Sequence, residues 1–364
     1  MQRNHSLDGL RGFAAAAVVV FHAILLTDHG LVHRVLGPPF QHVPVAELPV
    51  KLALSLANGE TAVAIFFVLS GAVLFDSLQR MPGAAEFVVR RVLRIYPALV
   101  AAILTGAAVM ALQHAPPSFD SLAANLGLAE FSIIGPAWTL QAELVAVPFI
   151  LASFWVARMV GPAGLAIAFA AAYFAVRAPG IQDVAVWLRP YVICFTLGFA
   201  ITTPAGAAIG RRLSGGWCVV ALAVILVLRH ASPSVNLGTY MLQGGAALLV
   251  CALWHGRGGW LGDALSRPGP RFLGRISYSL YLFNIPILMA LSPIITVGDP
   301  LLVGLPAGLA IVALTVPVAA LSERWIERPG IKAGHAMAKW LATARPTRRA
   351  RWLSRAPAEL RSPS

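Results

Sequence analysis

The chain has 364 residues, 58% of them hydrophobic and only 12% charged, with a formal net charge of +13. A soluble domain carries about 25% charged residues, so an ordinary water-exposed globular surface is excluded, and the mean hydropathy of +0.75 points to lipid surroundings. The apolar residues fall in runs near the length at which a helix rising 1.5 Å per residue crosses a hydrocarbon core of about 30 Å.

Ten spans are predicted, near 8–27, 55–78, 92–112, 136–157, 162–178, 185–203, 216–230, 237–254, 276–296 and 300–322. With the N-terminus in the cytoplasm, twelve Lys and Arg residues before the end of the last span lie on the cytoplasmic side and five opposite. The positive-inside rule thus puts both termini in the cytoplasm. The expected fold is all-α, a polytopic transmembrane bundle of about ten spans. A membrane domain over 1–332 precedes a basic tail, 333–364, expected to be disordered. That tail and the cytoplasmic bias account for the net charge without a nucleic-acid partner. No cleavable signal peptide is expected.

The first span carries its own question. Arg11 and His22 are eleven residues apart in "LDGLRGFAAAAVVVFHA". At 100° per residue they return to one face, roughly 16 Å apart along the axis. Asp8, one turn before Arg11, can pair with it or cap the helix start. Ionisable groups in spans face protein or water-filled interior, so His22 reads as either a functional group or a satisfied core histidine. The second span ends in "FFVLSG", where Ser70 and Gly71 suit close helix packing, and Glu60 lies near its start.

The third span opens on "RRVLRIYP", with Arg90, Arg91 and Arg94 clustered and the last two one turn apart. In the fourth, "WTLQAEL" contains Trp138, suited to a sugar-stacking or belt position, and Glu143. This carboxylate is costly in lipid without a partner; it either orients His22 or binds a sugar, or forms a salt bridge to another helix. Cys194, Cys218 and Cys251 fall in separate apolar spans and read as small core residues, not as a disulfide or metal framework. His29, His33 and His42 share an outer loop without metal-ligand spacing. The ninth span contains "ISYSLYLFNIP", in which Tyr281 and Asn284 are one turn apart. The tenth ends in "SERWIERP", an ion-paired helix end.

Taken in this order, the motifs resemble acyltransferase family 3, integral membrane O-acyltransferases that decorate cell-surface glycans. Arg11 and His22 match the Arg–His pair of the family's first helix, and the resemblance extends from residue 7 to about 332. Two positions depart from it. Phe283-Asn284 stands where the motif commonly ends in Trp-His, and Ala64 stands where many relatives carry an acid, Glu60 being one turn earlier.

The resemblance implies transfer of an acyl group, acetyl first among the candidates, from acyl-CoA to a hydroxyl of a cell-surface or lipid-linked glycan. It implies a multi-pass location in a bacterial inner membrane. His22 would take the acceptor proton or hold the acyl group transiently. Glu143 would support it, and Arg11, Arg90, Arg91 and Arg94 would bind coenzyme A phosphates. Trp138, Tyr281 and Asn284 would line the acceptor site, with Asp8 and Ser70 in support. No metal and no permanently bound cofactor is expected, acyl-CoA being a co-substrate. Relatives often carry a C-terminal SGNH-type hydrolase domain; the tail is too short for one, so the membrane domain is expected to act alone or with a separate partner. A transporter or flippase of glycan or acyl intermediates is the alternative, although no inverted repeat supports it. A non-catalytic scaffold would leave Arg11 and His22 unexplained.

Overall fold

A computed structural model describes residues 4–80, 83–161, 163–232, 234–295 and 298–344. Within these residues the chain is helical and has no strand. The first half contains α1 (His5–Thr27), α2 (Leu48–Leu56), α3 (Gly59–Leu78), α4 (Ala84–Leu112), α5 (Phe119–Leu126), α6 (Trp138–Val160) and α7 (Ala163–Ala175). The second contains α8 (Val192–Ile201), α9 (Pro204–Arg212), α10 (Gly215–Leu226), α11 (Val235–Trp254), α12 (Gly259–Leu265), α13 (Pro268–Leu291), α14 (Leu305–Ser322) and α15 (Arg328–Ala344).

Each predicted span overlaps a helix among the described residues, but the helices are not equal. Seven are long and apolar enough to cross a membrane by themselves. Of the predicted 185–203 span only 192–201 is helical, as α8, and α9 follows it beyond the predicted end, bent by 79° at a short break. The predicted 162–178 and 216–230 spans correspond to shorter apolar helices, Ala163–Ala175 and Gly215–Ala231. Pro204 begins α9 and Thr203 caps it, its hydroxyl accepting from Gly206 N at 3.1 Å. The sequence therefore starts a new helix there instead of extending the old one. At the far end, α14 continues through a single π-helical stretch, Glu323–Glu327, into α15. Residues 333–344 of the expected tail are thus helical and pack along α4; the remainder of that tail, 345–364, lies outside the described residues.

Helix α1 is the central strut, packed most extensively on α13 and also on α14 and α3. Its start is capped by Asn4, not Asp8: the Asn4 side chain accepts from Leu7 N at 3.4 Å and donates to the Leu253 carbonyl at 2.9 Å. One residue thus satisfies an orphan donor of α1 and an orphan acceptor at the end of α11. Asp8 lies 4.0 Å from His5.

Between helices in lipid no hydrophobic drive remains, so small residues that let backbones touch decide the packing. Gly274 of α13 lies against the Asp8 carbonyl of α1, and Gly71 of α3 lies against the Phe195 backbone of α8, with Gly198 opposite. A side chain at either place meets main chain that cannot yield. Gly274→Leu is expected to force α1 and α13 apart and to reduce the yield of folded protein several-fold, read by size-exclusion of a fluorescent fusion; a wild-type profile would show that the contact is dispensable.

Opposite the N-terminus, the 28–47 segment is tied down by charge. Arg34 donates to Asp28 at 2.7 Å and to Glu47 at 2.9 Å. Lys51, fully buried, donates to the carbonyls of Val35, Leu36 and Pro38 at 3.0, 3.2 and 2.5 Å. Three carbonyls replace the water that the ammonium has lost.

Candidate functional site

Two cavities lie along the face of α1 that carries Arg11 and His22. The first, of about 150 Å³, is walled by Arg11 of α1, Ser70 of α3, Arg91 and Arg94 of α4, Glu143 of α6 and Arg275 of α13, among others. The second, of about 600 Å³, is walled by His22 of α1, Glu60 of α3, Trp138 of α6, Tyr191, Tyr281 and Phe131, among others. Val63 and Tyr281 belong to both. The periodicity that returned Arg11 and His22 to one face therefore opens one side chain into each space.

The arginine cavity has more cations than anions. Four guanidiniums line it, against the carboxylates of Glu143 and Glu327. Glu143 is engaged on both oxygens: Arg91 donates to one, and the Ser70 hydroxyl donates to the other at 2.5 Å. Arg91 is buried, so this pair stabilises two charges that would otherwise be stranded. Glu327, the last residue of the π-helical stretch, accepts from the Ser279 backbone N–H at 3.1 Å and from its hydroxyl. Neighbouring Glu323 pairs instead with Arg328 at 2.7 Å. With Glu143 committed to Arg91, the cavity presents Arg11, Arg94 and Arg275 toward whatever enters it.

The histidine cavity is mostly aromatic and apolar. Trp138 stacks on Tyr191 with ring centroids 5.8 Å apart and lies 5.2 Å from Trp187. That places Trp138 in an internal aromatic cluster instead of a lipid-facing belt. Glu60 is held by Arg229 at 3.5 Å, and Arg229 also donates to His230 at 3.1 Å. Tyr281, between the cavities, donates to the Pro136 carbonyl at 3.1 Å, and its hydroxyl lies 3.1 Å from that of Thr139. These contacts fix the phenol as a wall between α13 and α6.

The expected site residues thus separate into two groups. Arg11, Arg91, Arg94, Ser70 and Glu143 come together in one cavity, and His22, Trp138 and Tyr281 in the other. Glu143 is not beside His22: its partners are Arg91 and Ser70, and the side-chain partner of His22 is Asn284, with Nδ1 and Oδ1 3.4 Å apart. Ser70, assigned to packing by its motif, instead bonds a carboxylate, while Gly71 beside it does the packing. Arg90 is not among the residues lining either cavity and lies near Gly334 of α15. Arg90 and Arg91 are adjacent, and 100° of helix turn separates their directions. The sequence reading missed Arg275, Tyr278 and Glu327 as cavity residues. Arg275 immediately precedes "ISYSL" and Tyr278 is its tyrosine, an i, i+3 spacing that would have found both. The Tyr278 hydroxyl donates to the Ile95 carbonyl of α4 at 2.7 Å.

The three cysteines are buried and free, and no group of three or more His, Cys, Asp or Glu that could hold a metal occurs among the described residues.

Fold and site together define a multi-pass helical membrane protein with two internal cavities along α1. A family model described as an acyltransferase domain matches residues 4–324. The chain belongs to that family, acyltransferase family 3, and as a membrane acyltransferase it requires an acyl donor and an acceptor. No curated protein and no solved structure gave a significant match.

Proposed function

We propose that the protein transfers an acyl group, most simply acetyl, from acyl-CoA to a hydroxyl of a cell-surface glycan or lipid-linked glycan. The single observation that carries this reading is the division of labour along α1. Arg11 opens into a cavity with surplus positive charge, His22 into an aromatic one, and the two share Tyr281 and Val63.

Coenzyme A brings phosphates, and guanidiniums bind phosphate through charge-assisted, often bidentate hydrogen bonds. Arg11, Arg94 and Arg275 are suited to that task, while Arg91 holds Glu143. A flexible pantetheine arm then carries the thioester past Tyr281 toward His22. Sugars bind against aromatic faces with carboxylates accepting from their hydroxyls, and Trp138, Tyr191 and Glu60 supply both features. In the base route, His22 takes the proton as the acceptor oxygen attacks the thioester carbonyl. The carbon–sulfur bond breaks, and the departing coenzyme A thiolate receives that proton. In the covalent route, the imidazole attacks the thioester carbonyl and the carbon–sulfur bond breaks to release coenzyme A thiolate. The acceptor hydroxyl then displaces the imidazole, which takes the hydroxyl proton and passes it to the thiolate. The basic bias of the loops on the N-terminal side supports donor delivery from the cytoplasm, and the family resemblance supports a bacterial inner membrane. The family match favours a transferase over a flippase.

Purified protein given radiolabelled acetyl-CoA and a mixture of membrane glycans is expected to release coenzyme A and label a glycan. Neither coenzyme A release nor saturable acyl-CoA binding would overturn the reading. Within it, Arg94→Ala and Arg11→Ala are each expected to raise KM for acetyl-CoA by roughly tenfold, the cost of one charge-assisted phosphate contact. The change in kcat should be smaller. An unchanged KM in both would remove the arginine cavity from donor binding.

A further inference from the structure

Among the described residues Asn284 is the one side chain that hydrogen-bonds the His22 ring, and its orientation is determined by its other contacts. Its amide nitrogen donates to the Leu280 carbonyl at 3.2 Å and to the Tyr281 carbonyl at 2.5 Å. Both are main-chain acceptors within α13, one turn back, and Asn284 is fully buried. Turning the amide over would aim its oxygen at two carbonyl oxygens and leave both amide hydrogens without those acceptors, so the oxygen must face His22. An amide oxygen only accepts. The proton of a neutral His22 therefore sits on Nδ1, which is 3.4 Å away, and Nε2 keeps its lone pair.

We propose that Asn284 is a positioning residue that sets the tautomer of His22 to Nδ1–H and leaves Nε2 as the atom that acts on the acceptor. This assignment rests on the reading of His22 as the group that activates the acceptor hydroxyl, and it adds which nitrogen acts and what selects it. The ring lines the histidine cavity with no other described group bonded to it. A histidine orienter in hydrolytic sites is usually a carboxylate, which both fixes the tautomer and stabilises the imidazolium. Asn284 performs only the first task. The nearest carboxylate on this cavity, Glu60 of α3, is itself paired with Arg229. The other titratable groups facing the cavity are His29 after α1, Tyr191, and Tyr281 of α13. A base oriented by a neutral amide suits a step in which the proton is taken only as the acceptor oxygen attacks, and it leaves the resting ring uncharged in a largely apolar space.

The test uses full-length protein in lipid with ¹⁵N-labelled histidine, the His22 signal being assigned by its loss in His22→Gln. Nitrogen chemical shifts distinguish the two tautomers, and the expected wild-type state is Nδ1–H. In Asn284→Ala that state should be lost. With acetyl-CoA as donor, kcat should fall on the order of 10–100-fold, the usual cost of removing the group that orients a histidine, with KM for acetyl-CoA unchanged. Asn284→Asp keeps an acceptor at the same place and should restore the tautomer and most of kcat. Its charge should move the acidic limb of the pH–rate profile to higher pH. A wild-type His22 protonated on Nε2 would overturn the proposal without recourse to any variant. So would unchanged tautomer and kcat in Asn284→Ala when His22→Ala is inactive. Full turnover in His22→Ala would instead overturn the role of His22 itself, whatever its tautomer.

Discussion

Replacing His22 by alanine is expected to abolish acyl transfer while leaving acyl-CoA binding intact. The two halves of this expectation come from different places in the fold. His22 is on the wall of the aromatic cavity, and the arginines proposed to bind the donor line the other one. Removing an imidazole leaves the acceptor hydroxyl with no base beside it, which costs about 10²- to 10⁴-fold in rate. Most of that loss should fall on kcat. The ring makes one hydrogen bond, to Asn284, and its partner keeps two others within α13, so the helix pair should survive the change. Coenzyme A release and equilibrium binding, measured on the same preparation, separate the two quantities. Loss of both together would mean that His22 supports the structure, not the reaction.

Glu143→Ala should have the largest effect on stability. It strands the buried guanidinium of Arg91 and takes away the acceptor of the Ser70 hydroxyl. Breaking a buried pair from one side costs about 3–5 kcal/mol, because the remaining charge has lost both water and partner. Arg91→Ala should cost a similar amount for the mirror-image reason. The double variant Arg91→Ala/Glu143→Ala leaves no stranded charge and should be clearly less destabilised than the two single losses added together. Thermal unfolding of the four proteins in one detergent reads this directly. Strict additivity would show that the contact is not coupled. The same change should also weaken donor use, since a freed Arg91 rearranges the charge that a phosphate meets.

The Glu143 pair illustrates how the site reading divides. A carboxylate alone in an apolar span announces from sequence that it needs a partner, because lipid offers none. Which partner it takes depends on how α6, α4 and α3 are arranged, and the spacing within α6 carries no information about that. Of the three readings open to it, the structure shows the salt bridge to another helix and keeps Glu143 and His22 in separate cavities. Asn284 is the converse case. It stood out as one turn from Tyr281, and its relation to a histidine 262 residues away became visible only when α1 and α13 were packed together.

Local pattern determined what is local. The length and hydropathy of the runs established the helical segments, and the 100° advance per residue put Arg11 and His22 on one face. Basic residues between the spans indicated an orientation, and six motifs in order identified the family. Tertiary structure decided the remainder: the helix that continues past residue 332, which face of α4 meets the cavity, and the addition of Arg275 and Glu327 to the arginine cavity. The physical reason is the range of the forces involved. Helix formation and lipid partitioning sum over neighbours in the chain, whereas a cavity exists only where several distant helices fail to fill the space between them.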